Sequence, residues 1–130
     1  MLTRGMQRSD SAEMKIVGKH VYANLYDCDP WVIDDEERLV GIVKRTAEIT
    51  NSKLIQVLSW RFGGEKGGVS AIALINESHI AIHTWKAYNY ATVDIYTCGT
   101  HTDPEKGLEY IISQLKPVKT VKHAINRSLT

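Results

Sequence analysis

Apolar and polar positions alternate or recur in blocks from about Lys15 onward, whereas residues 1–14 are polar, carry no period and read as a flexible N-terminal arm. Ile16, Val17, His20, Val21, Tyr22, Leu25 and Tyr26 make a β-rich segment that stops at the turn-forming Asp27-Cys28-Asp29-Pro30. Asp34 with Glu37 three positions on forms a capping box. Leu39, Val40, Ile42, Val43, Ala47 and Ile49 then fall at helical spacing, predicting a helix over about 35–50. Leu54, Ile55, Val57, Leu58 and Trp60 make the next strand, and Gly63-Gly64-Glu65-Lys66-Gly67-Gly68 supplies a four-glycine loop before Val69-Ser70 and a central strand. The apolar run from Ile72 breaks at Glu77-Ser78-His79 and resumes with Ile80, Ile82 and His83, the pattern of two strands meeting at a sharp corner. Tyr90, Thr92, Asp94, Tyr96 and Cys98 alternate with Ala91, Val93, Ile95 and Thr97, so Asp94, Tyr96 and Cys98 share one face of a strand. Asp103 as cap and Pro104 at the first helical position open a second helix with the stripe Leu108, Ile111, Ile112 and Leu115, ending before Pro117. A last strand covers about 118–125. The order reads β-α-β-β-β-α-β, an α/β (α+β) two-layer sandwich with a largely antiparallel sheet and two helices on one face.

Length and charge narrow the function rather than the fold. At 130 residues the chain has room for one domain, expected over 15–130, burying roughly two thirds of its unfolded surface. A net charge of +1 gives no reason to expect nucleic acid or an anionic membrane, which leaves a small molecule as the partner. No apolar run approaches the roughly 18 residues a membrane helix needs. The opening Met1–Asp10 lacks a signal-peptide core, so a cytoplasmic protein is expected. In that setting Cys28 and Cys98, the only cysteines, read as free thiols.

Three constellations suggest chemistry. His79 and His83 have the i, i+4 spacing of metal ligands on a helix. The isoleucine alternation makes the segment a strand, where four residues span roughly 13 Å, too far for one ion. No metal is therefore expected. The glycine loop lacks the Gly-Lys-Ser/Thr ending of a phosphate-binding loop and a helix behind it, leaving a hairpin connection or a substrate-covering loop. Ser78, His79, His83 and Asp94 suggest a hydrolase, but no Gly-x-Ser-x-Gly elbow surrounds the serine. On spacing alone Ser78 is either a reactive serine or one that hydrogen-bonds a strand end.

Gly68-Val69-Ser70, then Glu77-Ser78-His79-Ile80-Ala81-Ile82-His83-Thr84-Trp85, then Ala91-Thr92-Val93-Asp94-Ile95-Tyr96-Thr97-Cys98-Gly99, resembles the short prokaryotic S-adenosylmethionine decarboxylase family. Gly18-Lys19-His20, Leu25-Tyr26-Asp27-Cys28 and Asp103-Pro104 extend the likeness over about 15–127. The resemblance implies a proenzyme that cuts its own chain at Glu77-Ser78 into a β chain, 1–77, and an α chain, 78–130. Ser78 attacks the Glu77 carbonyl to give an ester, β-elimination follows, and the serine remnant hydrolyses to a pyruvoyl group with loss of ammonia. That cofactor replaces pyridoxal phosphate. Its ketone forms a Schiff base with the substrate amine and holds the electrons left when carbon dioxide departs. By the same resemblance His83 assists the elimination, Ser70 holds the attacked carbonyl and Cys98 returns the proton to the decarboxylated carbon. The plainer alternative for Cys98 is a small buried hydrophobe. His79 reads as a packing or hydrogen-bonding residue.

Two departures bear on substrate. The family's Trp-Pro-Glu follows His-Thr, its glutamate accepting the ribose hydroxyls of S-adenosylmethionine; here Lys86 and Ala87 stand there. Losing those bonds costs on the order of 2 to 4 kcal/mol, about a hundredfold or more in affinity. The family's adenine-stacking aromatic lies in a shorter run; here the longer glycine loop displaces Phe62, and by the resemblance Phe62 or Trp60 is the candidate for that stacking. Some crenarchaeal relatives look like arginine decarboxylases and share Phe62-Gly63-Gly64-Glu65-Lys66-Gly67-Gly68-Val69-Ser70, a loop that archaeal S-adenosylmethionine decarboxylases also carry. The missing glutamate favours arginine, giving agmatine, with one of Asp27, Asp29, Asp34 or Asp35 meeting the guanidinium. S-adenosylmethionine is the alternative, in spermidine synthesis, and a non-catalytic partner of an active paralogue is another, against which the full set Ser70, Ser78, His83 and Cys98 argues. By analogy the protein is a homo-oligomer of αβ protomers with its sites near the interface.

Overall fold

A computed structural model describes residues 15–129, so the expected N-terminal arm lies outside the described residues. Six strands form one sheet: β1 (Gly18–Tyr26), β2 (Leu54–Phe62), β3 (Gly68–Ile75), β4 (Ser78–Trp85), β5 (Tyr90–Cys98) and β6 (Lys119–Asn126). Their order across the sheet is β2-β3-β4-β5-β1-β6, every neighbour antiparallel. There is one strand more than the pattern β-α-β-β-β-α-β counts, because the two arms of the broken run 69–85 each form a strand. Three helices accompany the sheet: α1 (Pro30–Ile33), α2 (Glu36–Ile49) and α3 (Pro104–Leu115). The single-turn α1 falls where the sequence reads as a plain turn; Asp29 caps it by accepting from the Trp31 amide at 2.9 Å. The cap of α2 is Asp35, accepting from the Arg38 amide, one residue after the Asp34 of the expected box. Asp103 caps α3 as its sequence predicts, with Pro104 in the first turn.

The helices cover one face only. Leu39, Val43, Leu108, Ile111 and Leu115 meet Leu25, Ile80, Ile82 and Ile95 in a core with these side chains essentially fully buried. Each such aliphatic contributes about 1.5–3 kcal/mol on leaving water. Thr84 is a polar member of this face: its hydroxyl donates to the Ile33 carbonyl at 2.7 Å and accepts from the Val69 amide at 3.1 Å, tying α1 to the sheet without an unpaired group. A Cβ at Gly68 would lie 1.9 Å from the Thr84 carbonyl oxygen, so only glycine lets β3 start this close to β4. The glycine loop continues onto a 3₁₀ turn, Lys86–Tyr88, through bonds from the Lys86 amide to Gly67 and the Ala87 amide to Lys66. The opposite face of the sheet has no helix over it. On it stand His20, Asp94, Tyr96, Cys98, Ser70, His79 and His83, with Leu58, Trp60, Leu74 and Ile125 exposed among them.

Candidate active site

β3 and β4 are joined by two residues, Asn76 and Glu77, with Ile75 paired to Ser78. Two-residue hairpins favour turns with positive φ at the first or both central residues. Here, of the two, only Glu77 has it, at 73°. A side chain in that region costs roughly 1–2 kcal/mol, so the strain sits on the residue whose carbonyl precedes Ser78. The register that sets His79 opposite Tyr96 carries the end of β5 alongside this corner. Ser78 Oγ lies 3.3 Å from Cys98 Sγ, which is 3.9 Å from the Glu77 carbonyl oxygen. Gly18 faces Cys98 across β1 and β5, and a Cβ there would meet the Arg127 carbonyl at 2.7 Å and the Tyr96 hydroxyl at 3.0 Å. Hydrogen bonding to Cys98, then burial, pushes the Tyr96 phenol above its ordinary pKa, with the Arg127 guanidinium, 4.6 Å over the ring, pulling the other way. Cys28 is buried against the Leu25 carbonyl and its thiol is pushed up to about 11, chiefly by burial, so it is the less reactive thiol.

A second cluster adjoins the corner. The Asp94 carboxylate on β5 meets His20 Nε2 of β1 at 2.6 Å and His79 Nε2 of β4 at 2.9 Å, one oxygen to each ring. Burial raises the Asp94 pKa, but the bonds and charge of the two histidines outweigh it, so the group sits below the usual carboxylate value. His20 and Gly18 are the residues that pattern reasoning passes over. The signal lay in the shared face of Asp94, Tyr96 and Cys98, but its completion needs β1 beside β5.

Ser70 and His83 make a separate pair, Oγ to Nδ1 at 2.8 Å, on facing positions of β3 and β4. Burial lowers the His83 pKa, with Asp94 opposing it, which favours a neutral ring able to take a proton. His83 lies five residue steps along β4 from Ser78, about 16 Å. Trp60, opposite Ser70, and Phe62, packed 6.2 Å from Trp85 ring to ring, lie at this far end, and Ala87 follows β4. One protomer therefore brings Glu77, Ser78 and Cys98 together, and Ser70 with His83, but not the two sets. Of the four candidate acids, Asp29 and Asp35 cap helices, and Asp34 is held by Arg61 through Nη1 at 3.0 Å and a second bond from Nη2 to its carbonyl. Asp27 is exposed after β1. A cleft of about 790 Å³ opens between Trp31, Asp34, Arg61, Glu65, Lys86 and Ala87.

The α+β sheet thus has one bare face, with a serine and a thiol gathered at a strained hairpin corner. The sequence pattern of S-adenosylmethionine decarboxylase matches residues 19–128. The chain is 50% identical over 127 residues to the arginine decarboxylase proenzyme of Ignicoccus hospitalis, covering 98% of this chain and 87% of that one. It is 49% identical over 114 residues to the S-adenosylmethionine decarboxylase proenzyme of Pyrobaculum islandicum, covering 88% and 90%. It is 50% identical over 131 residues to the arginine decarboxylase proenzyme of Pyrobaculum arsenaticum, covering 98% of both. The crystal structure of the adenosylmethionine decarboxylase from Aquifex aeolicus superposes with a TM-score of 0.77 at 33% identity, covering 89% of this chain and 94% of that one. The chain belongs to the S-adenosylmethionine decarboxylase family. It is a decarboxylase proenzyme, a carboxy-lyase. No helix among the described residues is long and apolar enough to cross a membrane.

Proposed function

We propose that the chain cuts itself at Glu77-Ser78, converts Ser78 to a pyruvoyl group and decarboxylates L-arginine to agmatine. The observation that carries this reading is the corner itself: positive φ at Glu77, with Ser78 Oγ 3.3 Å from the Cys98 thiol. Strain at the residue before the scissile bond is relieved when that bond breaks. In the processing step the Ser78 hydroxyl adds to the Glu77 carbonyl and the peptide becomes an ester. Loss of the Ser78 α-proton then expels the Glu77 carboxylate and leaves a dehydroalanine, whose imine tautomer takes up water and releases ammonia to give the pyruvoyl ketone. A neutral His83, its ring fixed by Ser70, is suited to take that proton, and the Ser70 hydroxyl to steady the carbonyl oxygen. The pyruvoyl group supplies an electrophilic carbonyl and an electron sink for the carbanion left by carbon dioxide. Cys98, on the sheet face beside residue 78, returns the proton to carbon.

The roughly 16 Å between Ser78 and His83 in one chain supports a homo-oligomer. Two copies stacked through their bare faces bring the Ser70–His83 pair of one to the corner of the other and cover Leu58, Trp60 and Leu74, which are exposed in the protomer. Arginine is favoured because Ala87, beside the cleft, offers no carboxylate for ribose hydroxyls; Asp34 in that cleft would meet a substrate guanidinium only by releasing Arg61. S-adenosylmethionine remains the second reading, supported by the Pyrobaculum islandicum relative. Side-by-side carbon dioxide release from the two substrates tests the choice: release from arginine at a rate at least about a hundredfold above that from S-adenosylmethionine is expected. Release from S-adenosylmethionine alone overturns the arginine reading, and release from neither overturns both.

A further inference from the structure

The His20–Asp94–His79 cluster takes no part in the steps above, yet it starts one residue from the cut. We infer that Asp94 is a positioning residue which, through His79, holds the new chain end against the Cys98 thiol after cleavage. This rests on the reading that the chain is cut at Glu77-Ser78. In the uncut chain residue 78 is fixed by the hairpin to β3, where it faces Ile75, and the ladder to β5 takes hold only at the next residue, His79, opposite Tyr96. Cleavage removes the hairpin, and conversion of the serine removes its backbone nitrogen as a ladder donor. A strand end in that condition frays.

The first side chain beyond the converted residue 78 is that of His79, and its ring is tied to Asp94 at 2.9 Å. Asp94 in turn holds His20 of β1 at 2.6 Å, so the link spans β4, β5 and β1, and β5 lies inside the sheet rather than at its edge. Asp94 and Cys98 stand on the same face of the same strand. The strand that anchors residue 79 therefore also carries the thiol, and the spacing between residue 78 and Cys98 survives the loss of the covalent corner.

The test is hydrogen exchange at the amides of residues 79–82, comparing the cut enzyme with an uncut Ser78→Ala chain, each with and without a change at the clamp. Asp94→Asn and His79→Leu are expected to speed exchange about tenfold in the cut form and hardly at all in the uncut form, while His79→Gln, whose amide reaches the ring Nε2 position, keeps wild-type protection. Equal loosening in cut and uncut forms would reduce Asp94 to a general structural role, and no change in either would leave the clamp idle; both overturn the inference. If Asp94→Asn does not fold or cut, the His79→Leu and His79→Gln pair decides alone. Masses of the wild-type chains separate the failures: an uncut wild type fails the cleavage reading and takes the clamp with it, whereas a cut wild type with indifferent exchange overturns only the clamp.

Discussion

The two ends of the bare sheet face are built differently. At the corner end, Glu77, Ser78, Cys98, Gly18 and the Asp94 cluster are fixed against one another within one chain by strand register. At the far end, the Ser70–His83 pair is equally well made, but around it Trp60 stands exposed and Ala87 lies beside an open cleft. At the corner end the histidines, His20 and His79, are tied to Asp94, while at the other end His83, paired with Ser70, has nothing beside it to deprotonate. The proposed homo-oligomer is what would join the two halves, since each lies on the same uncovered surface.

The most severe way to break the comparison is Ser78→Ala, which leaves no nucleophile; denaturing electrophoresis is expected to show only the full-length chain. Next is His83→Ala, expected to slow cleavage by about 10²–10⁴. Co-refolding it with Ser78→Ala should restore cutting of the His83→Ala chain, because each mixed pair has one intact corner facing one intact base. Failure of complementation would place both halves in the same chain after all. Ala87→Glu probes the far end alone and is expected to move the ratio of carbon dioxide release about a hundredfold towards S-adenosylmethionine while cleavage proceeds unchanged. A milder effect is that of pH. Burial depresses the His83 pKa below its ordinary value of about 6.5. The neutral base then persists as pH falls through 6.5, and the cleavage rate should hold steady there and decline only at lower pH. The same depression means the unfolded chain takes up the proton first, so the contribution of His83 to stability is full above about 6.5 and lost below it. Asp94, also depressed, gives the same sign in a more acid window, below about 3.9. Urea midpoints across pH check both.

Local pattern carried most of the elements. The alternation through Ile80, Ile82 and Tyr90–Cys98 made strands legible because burial on one face writes itself at period two. The corner was visible because Glu77-Ser78-His79 interrupts an apolar run. Less was visible where local signals compete: Asp34 and Asp35 both suit a helix start, and the structure uses the second, while Asp29-Pro30 reads equally as a turn or as the cap of a single helical turn. Strand order was out of reach. His20 and Asp94 are 74 positions apart, and nothing periodic in either strand says that β1 lies next to β5. The likeness to a family supplied Ser70, His83 and Cys98 as a set; it did not supply the distance that divides them in one chain.

The most direct test is the denaturing intact mass of the purified protein, since the account turns on the fate of one bond. Two chains divided between Glu77 and Ser78, the second lighter by one ammonia than an N-terminal serine requires, are the predicted result. A single unbroken chain, or a cut whose second chain keeps the full mass of an N-terminal serine, would contradict it.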